Sequence, residues 1–138
     1  FPRQVSLWLG LSTLLALSQL VMGTQVREGV DLLVQAGVAR TDWLVELPSW
    51  WKLHRSFSWL LLATNLAWIW PVWRFKPSGS FWHRGANAMS ILLCAQIITG
   101  LLFTWFAFPA WSQPVHLVLA MGLVLLGLSL WRSGYLAR

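Results

Sequence analysis

The chain has little charge, almost no cysteine and, through most of its second half, no charge at all. Asp, Glu, Lys and Arg make up 10% of its 138 residues, whereas a soluble domain carries charge on roughly a quarter of its positions. A water-exposed surface cannot be built from so few. Between Gly85 and Trp131 no charged residue occurs. Cys94 is the single cysteine and falls in an apolar run, which excludes an internal disulfide and a paired-thiol metal site.

What the chain has instead is apolar length, with 57% hydrophobic residues. Crossing a membrane takes about 20 mostly apolar residues per helix. Four runs bounded by charges or Pro/Gly clusters meet that need, at about 4–24, 49–73, 85–108 and 113–132. The expected fold is all-α: an integral membrane four-helix antiparallel bundle, one domain over 1–138. The first run is too long for the apolar core of a secretory signal and lacks a small-residue cleavage site. Because the chain begins with Phe1 rather than Met, sequence upstream of it is expected.

Acidic residues are confined to one connection. Arg3, Arg74, Lys76, Arg84, Arg132 and Arg138 lie at the N-terminus, the second connection or the C-terminus, with no acid beside them. Arg27, Arg40, Lys52 and Arg55 are balanced by Glu28, Asp31, Asp42 and Glu46, so the formal +6 falls on the other face. The positive-inside rule then puts both termini in the cytoplasm, as for a bacterial inner (plasma) membrane protein. Cations dispersed around apolar helices set topology rather than form a phosphate-binding stripe, so nucleic acid is not an expected partner and membrane lipid is.

The 12 tryptophans suit the two headgroup belts. Trp8, Trp68, Trp70, Trp73, Trp82 and Trp131 mark the inner one, and Trp50, Trp51, Trp105 and Trp111 the outer. In the first connection Val26, Val30, Leu33, Val34 and Val38 recur at helical spacing among charges, which predicts a short amphipathic helix on the outer surface. Ser49 is a plausible N-cap for the second long helix, and Pro114 suits the first turn of the fourth.

The two hairpins share a weak repeat. Gln19-Leu-Val-Met-Gly23 in the first long helix matches Gln96-Ile-Ile-Thr-Gly100 in the third, and each is followed by a loop and a histidine. His54 and His116 fall within about 10 Å of the outer starts of their helices at 1.5 Å rise per residue. An ionisable side chain left in lipid costs on the order of 3 kcal/mol, so each histidine is expected to face the interior. Two inward imidazoles at one depth, on helices running the same way, can supply both axial bonds of a haem iron. Without a Cys-x-x-Cys-His the haem would be b-type or a relative.

Gly23 and Gly100 would leave room for the macrocycle, Gln19 and Gln96 would offer hydrogen bonds, and Arg27 and Arg55 could grip propionates. Other uses of these residue types are interhelical hydrogen bonding by histidine or glutamine, small-residue helix packing, and an Arg27 or Arg55 salt bridge with Glu28 or Asp31. His83, beside Arg84, is read as a solvated loop residue.

Taken in order, Gln19-Leu-Val-Met-Gly-Thr-Gln-Val-Arg-Glu28, His54-Arg-Ser-Phe-Ser-Trp59, Gln96-Ile-Ile-Thr-Gly100 and Gln113-Pro-Val-His116 resemble the haem A synthase family over essentially the whole chain. That family oxidises a methyl group of haem O to the formyl group of haem A. Its members are typically two fused, pseudo-symmetric four-helix halves, one holding substrate and the other haem b, and this chain has the length of one half. The substrate half carries a glutamate three residues before its first histidine, where this chain has Trp51. Some members also carry a cysteine pair in the outer loop of that half, which is missing here.

The resemblance therefore implies the haem b-binding half, with His54 and His116 as iron ligands, no catalytic residue of its own, and haem O and haem A bound in the partner half. It implies as partners an N-terminal four-helix half or a second copy, with haem O synthase and the terminal oxidase as further candidates. Three alternatives stay open: a half-size homodimeric synthase, a b-type membrane cytochrome for electron transfer or quinone reaction, and a purely structural membrane subunit.

Overall fold

The computed structural model describes residues 3–136; Phe1 and Arg138, used above for the upstream expectation and the charge bias, lie outside them. The order of elements is α1 (Arg3–Gln35), a 3-10 turn (Arg40–Asp42), α2 (Trp43–Glu46), α3 (Trp50–Phe75), α4 (Phe81–Trp105) and α5 (Ser112–Leu136). No strand occurs among the described residues. α1 packs on α3 and α5, α5 on α4, and α3 more thinly on α4. The two hairpins of the repeat, α1 with α3 and α4 with α5, are thus each closely packed pairs.

By length and composition three helices could cross a membrane: α1, α4 and the Ser112–Gly134 part of α5. The second expected span, α3, is 26 residues long but falls short in hydropathy. Six tryptophans, Lys52, His54, Arg55, Asn65 and Arg74 dilute its aliphatic content. The outward faces fit a lipid solvent. Ile91, Ile98, Val118 and Leu125 are each between 59% and 69% exposed, which would be costly as a continuous surface in water.

Three expectations are corrected. The amphipathic stretch is not a separate surface helix: α1 runs unbroken for 33 residues to Gln35. No proline interrupts it, and the glycines at 23 and 29 stay helical. It ends where Gly37 takes φ 73°, a conformation that suits glycine after a helix C-terminus.

His83 is not in a loop. α4 begins at Phe81 because Ser80 caps it, its Oγ accepting from the His83 backbone N–H at 3.2 Å. Trp68 does not face the headgroups; it is fully buried, its Nε1 donating to Asn65 Oδ1 at 3.1 Å. Asn65 in turn donates to Leu61 O at 2.9 Å, so this polar pair is satisfied inside the packed helices.

The core has three parts. At the end holding the N-terminus of α1, Val5, Leu9, Trp68, Ile69, Val72, Ala86, Met89, Leu93, Leu123 and Leu130 pack together. Ala16, Leu61 and Val124 form a smaller middle cluster. At the opposite end Val30, Trp43, Leu47 and Phe108 close a cap, with Trp43 Nε1 donating to Val38 O at 3.0 Å. The long α1 extension is one wall of that cap, which explains its apolar spacing.

Helix contacts are tightest at small residues. A Cβ on Gly85 would lie 2.6 Å from Leu130 Cδ2, on Gly127 2.6 Å from Thr13 Oγ1, and on Gly10 2.8 Å from Trp131 Nε1. In each case a side chain of the neighbouring helix seats on the glycine, a small-residue contact common between helices packed in lipid.

Candidate functional site

His54 is the fifth residue of α3 and His116 the fifth of α5. A shared register on two helices of the same direction sets the two residues at a similar height along them. Both imidazoles are part-buried beneath the cap.

Each ring faces the glycine of its own hairpin. A Cβ on Gly23 would lie 3.4 Å from His54 Cε1, and a Cβ on Gly100 3.5 Å from His116 Cε1. These two positions differ from Gly10, Gly85 and Gly127 in having room: an added Cβ would meet the imidazole at ordinary contact distance, whereas at the other three it would lie under 3.0 Å from a packed side chain. The repeat seen in sequence is thus a repeat in space.

The glutamines also sit at their histidines, but in different ways. Gln19 Nε2 donates to the His54 backbone carbonyl at 2.8 Å, whereas Gln96 Nε2 lies 3.0 Å from His116 Nε2. Both side-chain carbonyl oxygens, Gln19 Oε1 and Gln96 Oε1, are buried without a hydrogen-bond partner among the described residues, and so is His54 Nδ1. An unsatisfied buried polar atom costs about 1–3 kcal/mol; among the described residues the other such atom is His83 Nδ1, in the first turn of α4.

Arg27 forms a salt bridge to Asp31 one turn on, at 2.7 Å, and donates through Nη1 to Gln113 Oε1, tying α1 to the start of α5. Arg55 stacks over the Trp51 ring, 5.3 Å from its centroid. Arg27 thus meets α5 three residues before His116, and Arg55 directly follows His54 in α3.

Two features were not singled out in the sequence. Thr99, the residue before Gly100, places its Oγ1 2.8 Å from His116 Nδ1; the matching residue of the first hairpin is Met22, so only comparison of the two repeat copies flags it. The second is a run of rings over His116. Phe103 meets the imidazole edge-on at 5.1 Å and stacks on Phe108 at 5.2 Å, which meets Trp43 at 5.6 Å. Arg40 closes the run, 5.0 Å over the Trp43 ring and donating to Phe108 O at 2.8 Å.

A small void lined by Ser12, Thr13, Ala16, Leu61, Asn65, Met89 and Leu123 lies deeper between the helices and touches neither histidine. Among the described residues no three His, Cys, Asp or Glu side chains cluster.

Fold and site define an integral membrane helical protein with a twofold-repeated histidine, glutamine and glycine constellation at one end. Its family is established by comparison: the family model COX15-CtaA, described as a cytochrome oxidase assembly protein, matches residues 2–128. The chain belongs to this family, the haem A synthases, which are oxidoreductases. No curated protein and no solved structure matches the chain.

Proposed function

We propose that the chain is the haem b-binding half of a haem A synthase, with His54 and His116 as the two axial ligands. The observation that carries this is the doubled contact of imidazole and glycine, His54 with Gly23 and His116 with Gly100. Two histidines are the number that would suit an iron whose remaining bonds come from a macrocycle.

The residues fit such a group. Gly23 and Gly100 keep side chains away from the ring edges, the buried oxygens of Gln19 and Gln96 are free to accept, and the cap rings shield the level from water. Arg27 and Arg55 would bind propionates by charge and paired N–H groups. When bound, the haem supplies one-electron transfer. The chain's own part is to hold the iron ligands, keep the site dry and neutralise the propionates.

Oxidation of the haem O methyl group is assigned to a partner four-helix half. At the position where the substrate half carries glutamate this chain has Trp51, packed into the cap and covered by Arg55. An indole cannot take a proton from the substrate, and a face of this one is already covered by Arg55. The charge pattern supports cytoplasmic termini, with α3 crossing as the fourth span and the histidines near the outer face. The absorption spectrum of the purified chain tests the reading: a six-coordinate b-haem at one per chain is expected, lost on replacing either histidine.

A further inference from the structure

We propose that Thr99 is a positioning residue that sets the His116 ring in the tautomer able to bind iron through Nε2. The inference deepens the axial-ligand reading above and rests on it for its purpose, though not for its test.

Thr99 Oγ1 lies 2.9 Å from Ala95 O, 3.0 Å from Gln96 O and 2.8 Å from His116 Nδ1. A hydroxyl has one proton to give. A helical threonine gives it to the carbonyls of the preceding turn, which can only accept. The remaining lone pairs of Oγ1 then face Nδ1, so Nδ1 carries the ring proton and Nε2 is bare.

The other side of the ring agrees. Opposite Nε2 stands the Gln96 amide nitrogen, a donor, at 3.0 Å. The Gln96 amide can turn to present either end to Nε2 and so follows the ring, whereas Thr99 sets it; Thr99 is 6% exposed, so bulk water does not compete. The bare nitrogen is occupied only by a neutral amide, which a metal can displace.

The first hairpin has no such device. Met22 stands where Thr99 stands in the second, and His54 Nδ1 has no hydrogen-bond partner among the described residues. His116 is therefore the preset ligand and His54 the adjustable one. Metal-bound histidines are commonly fixed in this way through their second nitrogen.

The test uses the full chain in detergent micelles without haem, labelled with 15N-histidine. Long-range proton–nitrogen correlations report which ring nitrogen holds the proton, and His116→Gln assigns the signal. Wild type should show His116 as a single Nδ1–H form. Thr99→Val should lose that preference in favour of Nε2–H, the form free histidine favours, and Thr99→Ser should keep Nδ1–H.

An Nε2–H form in wild type, or no change in Thr99→Val, overturns the proposal; should Thr99→Val fail to fold, wild type and Thr99→Ser decide it. Since no haem is present, this result stands apart from the absorption test of the axial ligands.

Discussion

The Gly23 backbone opens directly onto the His54 ring, so that a Cβ there would rest 3.4 Å from Cε1. One methyl group meets ordinary contact at that distance; a branched side chain does not. The same holds for Gly100 and His116. Gly23→Val or Gly100→Val should displace the imidazole and lose bound haem while the helices remain folded, as read by haem content beside circular dichroism. Retention of full haem content by both variants would count against the cradle.

Gly85 and Gly127 set the contrast. Each is packed against another helix at 2.6 Å, and overpacking a well-filled interior costs about 1–3 kcal/mol. Gly127→Val, which would push on Thr13, should lower the thermal unfolding midpoint in detergent without a specific effect on haem. An unchanged midpoint would show that α1 and α5 can part there freely.

How much of this was legible in the sequence depended on the kind of signal. The histidine pair was, because the repeat and the spacing from each helix start are local facts, and both rings fall on the fifth residue of their helices. The end of α1 was not. A change from apolar to charged sequence marks where a helix leaves lipid, not where it stops, and only Gly37 breaks it. Ser80 carries a signal, a cap three residues before His83, but the charge-free apolar run itself starts only at Gly85. Trp68 was misplaced because its partner, Asn65, lies one turn back on the same helix, and burial cannot be read from residue type. Thr99 escaped because a threonine in an apolar helix usually bonds its own backbone. It does so here too, and its second role needs a neighbouring helix to be visible.

Asn65 should matter more than a lone polar residue in a membrane helix suggests. It links Trp68 Nε1 to the α3 backbone inside the core. Asn65→Leu leaves that indole N–H unpaired, at a cost of about 1–3 kcal/mol. The unfolding midpoint should drop, and the additional change Trp68→Phe, which removes the orphaned donor, should recover part of the loss.

Arg40 holds the turn between α4 and α5. That turn contains Ala107 at φ 50° and Phe108 at φ 55°, left-handed conformations that cost non-glycine residues roughly 1–2 kcal/mol each. The Arg40 bond to Phe108 O, with a charged donor, contributes about 1.5–3 kcal/mol against this. Arg40→Ala should raise amide exchange over residues 106–112 and loosen the rings above His116. Unaltered exchange there would show that the Phe103 and Phe108 stack is sufficient alone.

Arg27 separates a structural from a binding role. Its salt bridge with Asp31 is exposed, and such pairs contribute about 0–1 kcal/mol. Arg27→Ala should therefore barely change the folding midpoint yet weaken haem retention during dilution if the guanidinium binds a propionate. Equal retention by wild type and variant would assign Arg27 to the α1–α5 link with Gln113 alone.

The most direct test is the absorption spectrum of the purified chain with its histidines replaced one at a time. Ligation by His54 and His116 predicts a low-spin b-haem spectrum at one haem per chain, lost or turned high-spin in both His54→Ala and His116→Ala. A chain that binds no haem, or one whose low-spin spectrum survives either replacement, would contradict it.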